Sequence, residues 1–387
     1  MAEQNELFTF DFEPIKGYPE LRWAGKRPFT GTPYYPAQLK ETHGSPSDDG
    51  WMNKLYWGDN LQVMSHLLKE YRGKVNLIYI DPPFDSKANY KKTIALRGKK
   101  TESDSSNFEE KQYGDIWTND EYLQFMYERL ILCKELLSDT GSIYLHCDWH
   151  RSHIIRSVMG EVFGSNNLVN EIVWGYKDIG AKAVPYFKRK HDSILYFQKT
   201  QNHIFNVQRQ MLSESTLERY GNYFDDNGQI TYQWLKDNNP GVFAKLKGHP
   251  ENLSEVWLDK NAGQPLSDWW DDISPLKSHF DESVGYPTQK PEALLERIIK
   301  ASSNPGDIVF DCFMGSGTTQ AVAMKLGRKF LGADINLGAI QTTTKRLINR
   351  AKELESELSD ETKYTGFEVY NVNDYDFFRN EPQASMN

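Results

Sequence analysis

Residues 74–84 read KVNLIYIDPPF. The run Val75–Ile80 is apolar apart from Asn76 and is bounded by Lys74 and Pro82. Strands covered by helices on both faces of a parallel sheet have this pattern. Proline has no N–H for a sheet ladder and fixes φ. The strand is therefore expected to end in a stiff turn, with Asp81 at the carboxyl edge of the sheet. Open α/β sheets bind ligands at that edge. A stiff turn that offers the Asp81 carboxylate, the carbonyls of Pro82 and Pro83 and the flat ring of Phe84 suits a planar amine. The same residues also fit a plain strand-to-loop turn in which Asp81 caps backbone amides.

An α/β rhythm extends outward from this strand. LYWGDN (55–60) reads as a short strand closed by a Gly-Asp turn. In the next segment Leu61, Met64, Leu67, Leu68 and Tyr71 share one helical face. EYLQFMYERLILCKELL (121–137) reads as a long amphipathic helix, and a turn at Thr140-Gly141 precedes a strand at Ile143–His146. A short helix is expected over roughly 150–163. The alternation implies right-handed βαβ units and a doubly wound α/β sheet. Residues 1–50 carry many Pro, Gly and aromatic residues with no steady period, and read as an irregular arm. Residues 165–285 lose the rhythm and read as an irregular insert, which Pro291 ends.

The rhythm resumes with a helix in PEALLERIIKASSNPGD (291–307) and a strand that runs into DCFMGSGTT (311–319). Gly315 and Gly317 let backbone amides approach a ligand at the positive end of the following helix. No Lys-Ser/Thr follows these glycines, so this is not a Walker loop, and the third Gly of the dinucleotide fingerprint is missing. Asp334 ends the next strand, and an acid in that place commonly accepts ribose hydroxyls. The set suits a nucleoside cofactor without a phosphate chain. A structural Gly turn, with Asp334 capping a helix, has the same residues. A charged helix over 337–358 and a strand in GFEVYNV (366–372) close the pattern.

Composition sets outer bounds. The 387 residues are 39% hydrophobic and 26% charged, which is ordinary for a globular chain. Aromatic residues reach 13%, so many must be buried, lie at interfaces or stack on something flat. The net charge of −9 excludes a globally basic nucleic-acid binder and leaves only local patches. Cys133, Cys147 and Cys312 form no CxxC pair, so neither a disulfide framework nor a metal site is expected. No apolar stretch is long enough for a membrane span and the N-terminus lacks a signal pattern, so a cytoplasmic location is expected.

DPPF at 81–84 followed by FMGSGTT at 313–319 resembles the amino-group DNA methyltransferases that use S-adenosylmethionine, in the permuted (beta) class. LYWGDNLQVM (55–64) and YPTQKPEALLERII (286–299) match the segments that precede each motif. The likeness covers roughly 51–370, without the middle. GSIYLHCD and GFEVYNVNDYDFF also resemble modification subunits of type III restriction systems, although the chain is short for one. Cys312 stands where the family usually has Pro.

The resemblance implies a Rossmann-like methyltransferase fold in four parts. These are an N-terminal arm (1–50), a catalytic half (51–164), a target-recognition insert (165–285) and a cofactor half with the C-terminal tail (286–387). It implies transfer of a methyl group from S-adenosylmethionine to N6 of an adenine flipped out of double-stranded DNA. The alternatives are cytosine N4, or a substrate that is RNA or a protein glutamine amide. Asp81 and the Pro82 carbonyl would hold the amine, Pro83 would stiffen the turn and Phe84 would stack on the base. Asp311, Phe313, Gly315, Gly317, Thr318 and Thr319 would form the cofactor turn and Asp334 would hold its ribose. Thr288 and Lys290 would approach the methionine end, and Asp59 the adenine. A helix cap at Thr288, a solvated Lys290 and a turn-capping Asp59 are the plain readings of those three.

The basic stretch DSKANYKKTIALRGKK (85–100), with Lys87, Lys91 and Lys92, and the cluster Lys188-Arg189 are candidate phosphate contacts, or simply solvated charge. A bacterial or phage-type, nucleoid-associated enzyme is expected. The aromatic content is compatible with a homodimer, and the type III likeness with a restriction subunit as partner.

Overall fold

In the computed structural model the strand expected at Val75–Ile80 forms with those bounds. The structure describes residues 7–10, 20–83, 92–96, 99–103, 119–176, 185–246, 248–277, 280–357 and 364–372, with only the backbone for 92–96 and 99–103. The strands that position the site are β1 (Gln38–His43), β2 (Asn53–Trp57), β3 (Val75–Ile80), β4 (Leu137–Asp148), β5 (Leu168–Gly175), β6 (His191–Gln198), β7 (Ile308–Asp311), β8 (Lys329–Asp334) and β9 (Phe367–Asn371). The helices are α1 (Asn60–Tyr71), α2 (Asn119–Leu136), α3 (Ser152–Phe163), α4 (Glu292–Ser302), α5 (Thr318–Lys325) and α6 (Leu337–Glu357).

The strands lie in the order β5-β6-β4-β3-β7-β8-β2-β9-β1. The neighbours from β4 to β9 are all parallel, while β5, β6 and β1 join antiparallel at the flanks. Side chains alternate between the two faces. Ile78 and Ile80 of β3 and Phe310 of β7 pack with α1, α2 and α3 (Met64, Leu130, Ile155). Leu77 and Tyr79 of β3 and Val309 of β7 pack on the other face with α4, α5 and α6 (Ile298, Val322, Leu347). A sheet covered on both faces by helices has the architecture expected from the apolar strand runs.

The connection leaving β3 passes through α2 to β4 on one side. The connection leaving β7 passes through α5 to β8 on the other. β3 and β7 are adjacent, so the topological switch point, where such sheets open a crevice, falls between Asp81 and Asp311. Among the described residues no helix is long and apolar enough to cross a membrane.

Three expectations change. Residues 1–50 are not wholly irregular, because Gln38–His43 forms the sheet's edge strand β1, paired with β9. Its sequence QLKETH is almost entirely exposed, so it carries no apolar alternation to read. The segment 165–285 is not one insert. Leu168–Gly175 and His191–Gln198 belong to the main sheet, and the chain divides into Met1–Phe205 with Trp270–Asn387, and Asn206–Trp269. Part of the basic stretch 85–100 is a hairpin, Lys92–Leu96 against Lys99–Ser103.

The unit Asn206–Trp269 is built on short pairs, Gln229–Thr231 with Val256–Asp259 and Arg209–Gln210 with Gln264–Pro265. Ile230 and Leu235 are buried in it, and Tyr220 meets Trp257 edge to face at 5.2 Å.

Candidate active site

Three adjacent parallel strands carry an aspartate at their carboxyl ends. Asp81 follows β3, Asp311 ends β7 and Asp334 ends β8. At about 4.8 Å between strands the three carboxylate positions span roughly 10 Å. Asp59 follows β2, the next strand along, by two residues. The rim is acidic and two cations sit in it.

The first cation is Lys290. Its ammonium is ion-paired with Asp81 Oδ2, and both side chains are only 17% exposed. Asp81 Oδ1 is buried and accepts no hydrogen bond from the described residues. An unmatched buried acceptor is costly, and it points to a donor that arrives with a ligand. Pro82 is buried and Pro83 exposed, so the turn leads outward from the sheet. Behind it the Tyr79 hydroxyl bonds His146 Nδ1 at 3.0 Å, and His146 Nε2 meets Asp192 Oδ2 at 3.2 Å. This buried chain ties β3, β4 and β6 together beneath the turn.

The second cation is Arg129 of α2. Its guanidinium reaches Asp59 Oδ2 at 3.0 Å and Asn60 Oδ1 at 2.6 Å. Asp59 also caps α1, accepting from Leu61 N at 2.9 Å. Asn60 in turn donates to the Cys312 carbonyl at 3.2 Å, so α1 is tied to the turn that follows β7. Phe125 lies between the Arg129 guanidinium (3.4 Å) and the Phe313 ring (6.1 Å).

The turn from Asp311 to Thr319 is held from inside the protein. Gly315 and Gly317 have φ of 51° and 72°, in the left-handed region that glycine tolerates. A Cβ on Gly317 would stand 2.4 Å from Thr343 of α6. Gly315 N donates to Asp334 Oδ2 at 2.9 Å, and Asp334 Oδ1 accepts from Asn336 N at 2.8 Å. Thr318 Oγ1 donates to the Lys290 carbonyl at 3.4 Å and receives Arg346 at 2.9 Å. Arg346 is buried and also pairs with Glu292 of α4 at 2.8 Å. Asp311, 3% exposed, accepts from Phe313 N at 2.9 Å and from Thr319 Oγ1 at 2.6 Å. Burial pushes its carboxyl up to about 7. The two hydrogen bonds oppose that rise, and the charges of Asp81 and Asp334 add to it.

The sheet therefore gathers Asp59, Asp81, Pro82, Pro83, Lys290, Asp311, Phe313, Gly315, Gly317, Thr318, Thr319 and Asp334 around its carboxyl edge. Thr288 is exposed in the turn before α4. Phe84, Lys87 and Lys91 lie outside the described residues, and Lys92 is placed only as backbone. Lys188 and Arg189 lie just before β6. Sequence reasoning missed Arg129, Asn60, Arg346 and Thr343. Arg129, Arg346 and Thr343 act from helix interiors and Asn60 from the first position of α1, where a polar residue gives no local signal of its distant partner.

Fold and rim together define a doubly wound α/β protein with an acidic ligand crevice at its switch point. The profile of the DNA methylase family matches residues 75–345, well over half of the chain, and the chain belongs to that family. It is a DNA methyltransferase. The type II methyltransferase M.EcaI of Enterobacter cloacae is 27% identical, over 86% of this chain and 80% of its own. The DNA adenine methyltransferase YhdJ of Escherichia coli (strain K12) is 29% identical, over 75% of this chain and 81% of its own. The Mod subunit of the type III restriction-modification enzyme StyLTI of Salmonella typhimurium is 26% identical over 72% of this chain. The match covers 50% of that subunit's length.

Proposed function

We propose that the protein methylates N6 of adenine at a specific site in double-stranded DNA, with S-adenosylmethionine as donor. The observation that carries this reading is Asp81 Oδ1, a buried acceptor at the switch point without a partner among the described residues. Lys290 engages the other oxygen, so Oδ1 is the one left to meet an incoming N–H. Asp81 Oδ1 and the Pro82 carbonyl accept the two N–H bonds of the exocyclic amine. That draws the nitrogen lone pair out of conjugation with the ring. Pro82 and Pro83 restrict the backbone, so the acceptors are held in place before the base arrives.

The acidic rim supports the donor. Among the described residues Asp59, Asp81, Asp311 and Asp334 outnumber Lys290 and Arg129 around the crevice, which favours a ligand carrying a sulfonium and an ammonium group. S-adenosylmethionine, when bound, supplies a methyl group on a cationic sulfur. Gly315, Gly317, Thr318 and Thr319 shape the turn that would hold it, with Asp334 on the ribose side. The thiols of Cys147 and Cys312 are buried and pushed up by that burial, so neither is suited to act as a nucleophile.

Adenine is favoured over cytosine by the aspartate in the DPPF turn and by the likeness to the E. coli adenine methyltransferase. A role as the modification component of a restriction system follows the likeness to the StyLTI subunit. The unit Asn206–Trp269 is proposed to read the target sequence. The test incubates the protein with unmethylated genomic DNA and S-adenosylmethionine and maps the product by long-read sequencing. N6-methyladenine at one short motif, absent with Asp81→Ala, is the expected result. Methylcytosine alone would overturn the choice of base.

A further inference from the structure

An aromatic and cationic patch lies on the same sheet edge as Asp81 and is not used by the site described above. β6 runs antiparallel to β4, with Asp192 opposite Asp148, and β4 runs parallel to β3, with Leu145 beside Ile80. The start of β6, the end of β4 and the end of β3 therefore share one edge. β6 lies about 10 Å across the sheet from β3, two strand spacings away.

The segment that enters β6 carries Tyr186, Phe187, Lys188, Arg189 and Lys190, and Trp149 follows β4. Arg189 packs on two rings, its guanidinium 4.0 Å from the Trp149 ring centre and 4.7 Å from that of Tyr186. These two contacts brace the segment on which Phe187 stands. Phe187 itself is 98% exposed. A lone exposed ring needs no explanation, but this one projects from a braced base between cations.

Asp148 and Asp192, at the facing ends of β4 and β6, hold partners of their own. Asp148 accepts the amides of His150 (3.1 Å) and Arg151 (2.9 Å), and Asp192 accepts from His146. On a chain with a net charge of −9, a local cation cluster with an apolar tip fits one partner above others, a polyanion with stacked flat groups inside it.

We propose that Phe187 enters the DNA duplex at the stacking position vacated by the target base, while Lys188, Arg189 and Lys190 hold the flanking phosphates. The proposal rests on the DNA base methylation proposed above. Inserting an apolar ring offsets the unstacking that base extrusion costs. Phe187 is thus a positioning residue, and its effect depends on how firmly the target is paired.

The test compares wild type, Phe187→Ala and Phe187→Trp on two duplexes that carry the motif mapped for the wild type. In one the target is paired, and in the other it faces an abasic site. Phe187→Ala is expected to lower kcat/KM by about 10- to 100-fold on the paired duplex. It should match wild type on the abasic one, and Phe187→Trp should retain activity on both. Equal losses on the two duplexes, or none on either, would overturn the wedge. If wild type modifies neither duplex, it is the methylation reading that fails. Because the ring is exposed, an unchanged Tm should accompany the kinetic effect.

Discussion

Asp311 is a carboxyl whose surroundings push it well above the ordinary carboxylate range. It is a carboxyl in the core, with two donors that favour the anion and two neighbouring carboxylates that oppose it. Its folded value near 7 lies above the ordinary 3.8, so between these values the native state binds more proton than the unfolded chain. This contribution to stability is present below the unfolded value and is lost as pH rises through the folded one. Stability should fall with pH across that window, with a slope of up to about 1.4 kcal/mol per pH unit. Asp311→Asn should flatten the decline, as read by denaturant unfolding at a series of pH values. A wild-type stability independent of pH in that range would contradict it.

The residue scale also shows where the chain hid its site. Asp81 and Asp334 were legible because a β-strand ending in an acid is a local pattern. The resemblance implies that Lys290 approaches the cofactor, and the fold adds an ion pair between its ammonium and Asp81. Nothing within a few residues of Lys290 could say so, because the pairing joins positions 209 residues apart in the chain.

At the scale of the element, the Gly-rich turn is gripped by α6. Thr343 donates to the Gly315 carbonyl at 3.0 Å and fills the space where a Gly317 side chain would stand. Gly317→Ala combines a positive φ with a clash and should destabilise the protein by about 1–3 kcal/mol. Thr343→Ala in the same chain should restore part of that loss. Thermal unfolding of the two variants decides it, and a neutral Gly317→Ala would show that the turn relaxes freely. The elements were readable where periodicity was strong. Val75–Ile80 and the helix over 337–357 were read closely, because burial on one or both faces imposes a period. β1 escaped because an edge strand facing solvent needs none. β5 escaped, and HDSILYF of β6 was strand-like but not assigned to the main sheet, because their connection carries Gly and Pro that resemble a domain boundary.

At the scale of the whole molecule, β1 has a protective role. It covers the hydrogen-bonding edge of β9, and its own outer edge carries Lys40 and Glu41. Charged edge strands resist pairing with other chains. A chain lacking residues 1–44 should expose the FEVYN edge and self-associate, as seen by size-exclusion chromatography with light scattering. A monodisperse truncated monomer would contradict this.

The strand order also carries a consequence for biosynthesis. β2 and β3 are close in sequence but are separated in the sheet by β7 and β8. Those two strands begin only at Ile308. At about 5–20 residues per second, the ribosome delivers them roughly 10–50 s after β3 has emerged. Through that interval the nascent chain holds two apolar strands with a gap between them, and no partner yet exists to fill it. The central sheet can close only near the end of translation, so a newborn chain should depend on holding chaperones more than a finished one does.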